Sequence, residues 1–344
     1  MVSVVPGSQI PAAQWDAFVR SHAAGSCFHL DAWRNVVRDS LGHRLCCLAA
    51  LNDSGVLIGV LPLAEMKSAL FGHTLTSLPG GVEGGILANH SEAAEALAHA
   101  ARAAGKNANV SHVEVRHKHA QLPEWASHDR LYFSFRKALP PTPQEALLAI
   151  PRKQRAEVRK GIAAECSFSI EKTSDNFYAM YADNVHRHGT PGFAKKHFDV
   201  IAEHFGQECE FAVVRDSKGD PVSAVMSIYF GDVVFPYYAG DYARARDISA
   251  NDYKYYQLMV HAYSRGARWF DFGRSKLDTG PYKFKKYWGF EPIPYHYEFA
   301  LLNRDEIPQV NPSNPKYAKA IAIWRRLPRS LVNRIGHPLA RHLC

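Results

Sequence analysis

"EFAVVRDSKGDPVSAVMSIYFGDVVFPYYAGD", residues 210–241, decides the fold class. Apolar runs at 211–215, 221–230 and 233–239 are broken by Asp-Ser-Lys-Gly-Asp-Pro and by the pair Gly231-Asp232. Turns of this composition accept positive φ, so the chain reverses twice and lays down an antiparallel meander. Next comes a helix over 251–265, with Tyr255, Leu258, Met259, Ala262 and Tyr263 at i, i+3, i+4, i+7, i+8 spacing. Ser249 or Asn251 caps its start and Gly266 ends it. A strand at 268–272 completes a mixed α/β sheet, and helices at about 152–164, 175–187 and 194–205 precede the meander.

The plan occurs twice. "LCCLAALNDSGVLIGVLPLAE" (45–65) is again an apolar run, a polar glycine turn and a second apolar run. The offset, roughly 165 residues, is far longer than a solenoid repeat, so a duplicated domain is expected. Pro140, Pro141, Pro143 and Pro151 interrupt the pattern between the copies. The expected division is 1–140, 141–303 and a basic tail over 304–344, consistent with two domains for 344 residues.

Composition narrows the class. The chain is 47% hydrophobic and 12% aromatic, which suits packed cores rather than disorder. Its six cysteines form no C-x-x-C pair and no zinc spacing, so reduced cytosolic thiols and no bound metal are expected. The opening "MVSVVPGSQIPAAQW" lacks the pattern of a secretory signal, and no window holds about 18 uninterrupted apolar residues. Net charge of +8 favours an anionic partner, with solubility as the plain alternative.

"FDFGRSKLDTGPYKFKKYWGF" (270–290) concentrates the chemistry. Asp271-Phe272-Gly273 spells a kinase metal motif, but the glycine-rich loop, Val-Ala-Ile-Lys strand and His-Arg-Asp loop of a kinase are missing. There is no G-x-S-x-G elbow, no G-x-G-x-x-G and no phosphate-binding G-x-x-x-x-G-K-[ST]. His186 and His188, two apart on a helix, do not share a face and make a poor metal pair. In "PRKQRAEVRKGIAAE", Arg152, Arg155 and Arg159 form a stripe with Lys153 and Lys160 beside it. Such a stripe repels itself unless an anion neutralises it, so phosphate or tRNA contact competes with a plain solvated face.

Taken together, "RKQRAEVRKGIAAECSFSI", "HRHGTPGF", "VSAVMSIYFGDVVFPYYAGD" and "GARWFDFG…TGPYKFKKYWGF" resemble the FemAB family. "CFHLDAWRNVV" (27–37) and "LTSLPGGVEGGILA" (75–88) resemble that family's Trp-bearing helix and glycine-proline loop in the first half. The resemblance implies two tandem GNAT-fold domains, each a mostly antiparallel sheet flanked by helices. The activity it implies is transfer of an amino acid from aminoacyl-tRNA to a cell-wall peptide precursor. The subgroup most similar in flavour occurs in exopolysaccharide and PEP-CTERM/exosortase loci. One departure bears on the donor. Acetyl-CoA-dependent GNAT domains carry [RQ]-x-x-G-x-[GA] before the helix after the meander, where this chain has "ARARDISAN" (243–251) without glycine. The Fem proteins lack that loop too.

In a GNAT fold two central strands splay at a bulge, here 233–239 and 268–272, and leave backbone N–H groups beside the reacting carbonyl. The resemblance makes Lys285, in Phe284-Lys285 before Trp288-Gly289, the leading catalytic candidate, holding the donor and stabilising negative charge. Asp271 and Asp241, at strand ends, are candidate proton acceptors. Donor or substrate binding is expected from Arg152, Arg155, Arg159, Tyr238, Arg274, Lys276, Tyr282, Lys283 and Lys286, with lysines on phosphates and Tyr282, Phe284 or Tyr287 stacking a terminal base. If the segment is helical, Tyr282, Lys285 and Lys286 share one face. Phe284, Trp288 and Phe290 read as core.

From Lys316 to Cys344 there are seven Lys/Arg residues and no acid, mixed with Ile321, Ile323, Trp324, Leu327, Leu331, Val332 and Ile335. Such a segment suits an anionic membrane surface, or docks on the domain with its basic face in water. The expected activity is acyl or aminoacyl transfer to an amine or hydroxyl of an envelope or exopolysaccharide precursor, acidic or lipid-linked. The expected setting is the cytoplasm, at the inner face of the membrane, with tRNA as partner, no DNA and no tightly bound cofactor. Two alternatives stand: an N-acyltransferase fed by acyl-CoA or acyl carrier protein, and a silent GNAT-fold binding module at the membrane.

Overall fold

A computed structural model describes residues 1–68, 72–118, 122–308, 322 and 324–342. The chain forms two compact units. The first holds Met1–Tyr132 with the segments that begin at Pro294 and at Arg341, and the second holds Phe133–Ile293 with the later chain up to Ala340.

The second unit is built on the predicted meander. Its sheet runs Ser167–Glu171, Cys209–Arg215, Pro221–Phe230, Val233–Asp241, Trp269–Asp271, Tyr132–Ala138, Ser275–Lys276. The predicted helices appear as Arg152–Ala163, Asp175–His188, Lys195–Phe205 and Ala250–Ser264. The strand expected at 268–272 has Trp269–Asp271 as its regular part, and its pairing with Tyr132–Ala138 continues past both ends, Phe272 giving its N–H to the carbonyl of Phe135 at 2.9 Å and Leu139 its N–H to that of Arg268 at 2.8 Å. Ser167–Glu171 went unforeseen, since its side chains are half-buried or exposed and show no apolar alternation.

The first unit repeats the order of elements. Leu48–Leu51 and Leu57–Leu61 pair antiparallel, Leu63–Ser68 pairs with Gly72–Ser77, and helix Ser91–Asn107 leads to strand His112–His117. That last strand lies parallel to its neighbour at Leu75↔Val113 and Thr76↔Glu114. In the second unit the equivalent parallel pairing is Val233↔Trp269 and Val234↔Phe270. The division at 140 and 303 is corrected by two strands. His296–Leu301, placed in the second domain by the sequence reading, pairs with His112–His117 of the first unit. Most of Tyr132–Ala138, placed in the first, pairs with Trp269–Asp271 of the second. Each pairing supplies the ladder partner that one side of the parallel strand would otherwise lack, a long-range match invisible to local patterning.

In the tail, Lys316, Lys319, Ile321, Ile323 and Cys344 lie outside the described residues. Helix Arg329–Ala340 buries Val332 and Ala340, and His337 Nδ1 lies 2.8 Å from the carbonyl of Gly192 in the same unit. Leu331 and Ile335, one turn apart, stay exposed. Among the described residues no helix is long and apolar enough to cross a membrane.

One position ties strand to helix. A Cβ on Gly240 would sit 2.3 Å from the backbone nitrogen of Tyr181 and 2.5 Å from the carbonyl carbon of Met180, so only hydrogen fits between Val233–Asp241 and Asp175–His188. Gly240→Ala should destabilise the protein by about 2–3 kcal/mol. Urea unfolding measures this, and an unchanged midpoint would contradict the close packing.

Candidate active site

The site begins where two strands part. Val233–Asp241 stays paired with Pro221–Phe230 from Phe230↔Val233 to Ser223↔Asp241, but Met226 faces Tyr238 while Ser227 faces Pro236. Tyr237 is therefore an extra residue, a bulge that bends the strand. On its other side the strand pairs with Trp269–Asp271 at only two positions, Val233↔Trp269 and Val234↔Phe270. Beyond them Trp269–Asp271 follows Tyr132–Ala138, with Arg136 opposite Asp271. This is the splay expected from the sequence, with the same two strands.

Past Asp271 the backbone needs new partners. Asp271 is buried, and its Oδ1 accepts the N–H of Gly273 at 2.8 Å and the hydroxyl of Ser134 at 3.5 Å. Gly273 sits at φ +63°, a conformation that costs glycine little. The carbonyls of Phe272, Gly273 and Arg274 take hydrogen bonds of 2.7, 3.1 and 3.2 Å from Lys285 Nζ. Lys285 arrives from helix Gly280–Tyr287, which ends at Gly289 with φ +76° and the N–H of Phe290 returning to the Lys285 carbonyl. The ammonium also lies 5.4 Å from the ring centre of Phe135 and 5.8 Å from that of Phe272. Burial pulls its pKa from the usual 10.5 to about 7, opposed by the negative charge of Asp271 and aided by Arg274.

Next to the splay is a cavity of about 480 Å³ walled by Gln154, Glu157, Asn184, Arg187, His188, Asp241, Tyr242, Arg246, Ser249, Asn251, Asp252 and Phe284, among others. Asp241 closes the end of its strand by accepting from Lys254 Nζ at 2.8 Å and from the Ser223 hydroxyl. Lys254 is fully buried on Ala250–Ser264 and also reaches the Ala224 carbonyl at 3.3 Å. Arg187 donates to the carboxylate of Asp183 at 2.7 Å and to the carbonyl of Asp241. Ser249, at φ +52°, spends its hydroxyl on Glu157 at 2.8 Å and leaves the helix start uncapped by a side chain. Hydrogen bonds from Lys160 and Ser249 hold the Glu157 carboxyl below its usual range. Burial raises that of Asp252, whose Oδ1 accepts from Gln154 at 2.6 Å and Trp288 at 3.1 Å.

On the other side of the bulge Tyr238 meets an aromatic wall. Its hydroxyl is 3.3 Å from His197 Nε2, and His197 stacks on Phe193 at 4.2 Å between centroids. Burial drives the His197 pKa down to about 3, so the imidazole is neutral.

The predicted residues thus separate. Asp271, Lys285, Arg274 and Lys276 lie along the post-strand loop or on its carbonyls, and Asp241 lines the cavity. Tyr282 is corrected: it is buried with its ring edge-on to Phe133 and Phe135, so it fills core and offers no face to a base. Lys283 and Lys286 are exposed, and the Lys286 ammonium lies 6.0 Å from the ring centre of Tyr282. Tyr287, a candidate for base stacking, is 62% exposed. Phe284, Trp288 and Phe290 join the core as expected. In the arginine stripe, Arg152 and Arg159 are exposed, whereas Arg155 is bonded to the carbonyls of Leu148 and Ile150, one at 2.7 Å and the other at 2.9 and 3.2 Å. It closes the end of helix Pro143–Ala149, which is a structural duty. Sequence reasoning missed Lys254, Asp252 and Gln154. The available signal was Lys254 itself, four residues before Leu258 and eight before Ala262 on the apolar face.

Lys285 supplies a pH test. The unfolded chain keeps this proton to about pH 10.5 and the folded one only to about 7, so in between the unfolded state binds more protons and stability rises with pH. Below that window the charged form is buried in full. Unfolding at about pH 7 and about pH 9 should show the wild type gaining on Lys285→Met. A constant difference would place the Lys285 titration outside this range.

Residues 152–286 match the sequence family described as the acetyltransferase (GNAT) domain. No curated protein matches the chain. Among solved structures, FemX aligns with a TM-score of 0.69 at 16% identity over 88% of this chain and 98% of its own. L-PGS from Bacillus licheniformis gives 0.57 at 12% over 92% and 96%. The tandem GNAT protein from the clavulanic acid biosynthesis pathway gives 0.55 at 13% over 89% and 100%. Likeness at these identities is a likeness of fold: the chain has the tandem GNAT architecture, and the stretch of its second unit over residues 152–286 is similar in sequence to the acetyltransferase (GNAT) domain.

Proposed function

We propose that the second unit is an acyltransferase that moves an aminoacyl or acyl group from an activated ester or thioester to an amine or hydroxyl of an envelope or exopolysaccharide precursor. One observation carries this reading. Lys285, an ammonium titrating near neutrality, is fixed on the carbonyls that bound the gap between the parted strands. The match of residues 152–286 to the acetyltransferase domain and the FemX-like fold support it.

The chemistry follows from charge. Attack of an amine or hydroxyl on the donor carbonyl builds an oxyanion, and the carbonyl lodged in the gap gains from any positive charge held ready there. Lys285 already gives its hydrogen bonds to three carbonyls, so it acts through its field and by fixing the loop rather than by a direct bond. It need not reorganise as charge develops. The nucleophile's proton passes to the leaving oxygen or sulfur, or to water. Asp271 sits within reach of Lys285 electrostatically and serves to position the loop, and Asp241 is committed to Lys254 and Ser223.

An aminoacyl ester is the preferred donor. Glu157, Asp241 and Asp252 share the cavity with Arg187 and Arg246, and such mixed lining suits an aminoacyl group with its ammonium better than a bare pyrophosphate. Arg152, Arg159, Lys283 and Lys286 are exposed cations available to tRNA phosphates. Acyl-CoA or an acyl carrier protein is the competing donor, favoured by the start of helix Ala250–Ser264 opening on the same cavity. The basic segment around Arg325 and Arg326, with Leu331 and Ile335 exposed nearby, fits an enzyme working at the inner face of an anionic membrane.

Mass spectrometry of envelope glycans and peptides from a deletion strain should reveal a missing acyl or aminoacyl mass. With that acceptor, Lys285→Ala should lower kcat about 100-fold. Full activity in Lys285→Ala defeats the reading. A salt-sensitive shift with charged tRNA identifies the ester donor, and thermal stabilisation by CoA alone identifies the other.

A further inference from the structure

The first unit holds a second cavity, of about 630 Å³, formed where the chain passes from one sheet to another. Arg44–Leu45 belongs to the six-stranded sheet and Leu48–Leu51 to the four-stranded one, so residues 46 and 47 bridge a gap between them. Leu45, Leu48 and Leu75 supply apolar wall, and Arg34, Arg38 and Arg44 supply three guanidinium groups.

Arg34 stands apart from its neighbours. Its side chain is only 10% exposed, its guanidinium lies 4.4 Å from the ring centre of Trp15, and its Nη1 is 3.3 Å from the carboxylate of Asp31. Its Nε and Nη1 are buried without a hydrogen-bond partner among the described residues. The Asp31 carboxylate and the Trp15 ring offset part of the cost of burying this charge. Arg38 and Arg44 lie at the exposed edge, paired with Asp39 and Glu65, whose carboxylates are not part of the cavity wall. The volume falls within the range of small-molecule sites.

We propose that this pocket binds an amphipathic anion: an alkyl chain lying on the leucines, with a phosphate or carboxylate head held by Arg34, Arg38 and Arg44. A planar guanidinium takes either head group in two-point contact, and the apolar wall rejects a bare ion. The site lies wholly within the first unit and requires none of the groups assigned to transfer.

The test uses the full chain and calorimetric titration with dodecyl phosphate, dodecanoate, inorganic phosphate and dodecyltrimethylammonium below their micellar concentrations. One or both alkyl anions should bind at one per chain, and whichever is tighter distinguishes a lipid phosphate from a fatty carboxylate. Arg34→Met should weaken binding at least about tenfold. Arg38→Gln with Arg44→Gln, at exposed positions that do not threaten folding, should weaken it several-fold and flatten its salt dependence. Equal binding of dodecyltrimethylammonium, no binding of either alkyl anion, or unchanged affinity in the Arg38→Gln/Arg44→Gln protein overturns the proposal.

Discussion

The grip of one buried ammonium on three consecutive carbonyls organises the second unit. Because the bulge at Tyr237 bends Val233–Asp241 away after two residue pairs, the chain beyond Asp271 has no neighbouring strand on that side. Buried carbonyls without partners cost free energy, and Lys285 meets those of Phe272, Gly273 and Arg274 together. The Asp271 carboxylate meets the opposite need by taking the N–H of Gly273. The Asp-Phe-Gly sequence is thus a loop-forming device here: an acid for an N–H, a ring for the core, and a glycine for positive φ. The cost of burying the lysine appears in its lowered pKa, which brings its charge change close to neutrality.

The two copies of the fold end their parallel strands differently. In the first unit His117 stands at the end of its strand, with Nε2 accepting the N–H of Ile86 at 2.7 Å and Nδ1 donating to buried Glu298 at 2.6 Å. The second oxygen of Glu298 accepts from Leu122 at 2.8 Å, and a Cβ on Gly85 would lie 2.1 Å from the His117 ring. Glycines let the loop after Gly72–Ser77 settle onto this histidine and close the place. In the second unit a cavity adjoins the end of Val233–Asp241, walled in part by Asp241, which is paired with Lys254, and by Asp252, which accepts from Gln154 and Trp288.

Much of this was legible along the chain, because the signals are local. Gly231-Asp232 and the Asp-Ser-Lys-Gly-Asp-Pro turn dictate the meander, and apolar spacing dictates Ala250–Ser264, since turns and helices are decided by neighbours within a few residues. The repeat of that pattern announced the duplicated fold, and Phe284-Lys285 singled out the lysine that the fold buries against three carbonyls. Tertiary structure alone decided the rest. Which strand flanks Trp269–Asp271, whether Arg155 faces an anion or closes a helix, and whether Tyr282 faces solvent or Phe135 depend on partners far away in sequence. Hydrogen-bond satisfaction and burial are properties of the packed whole, so a residue's type reveals what it can do while only its surroundings determine what it does.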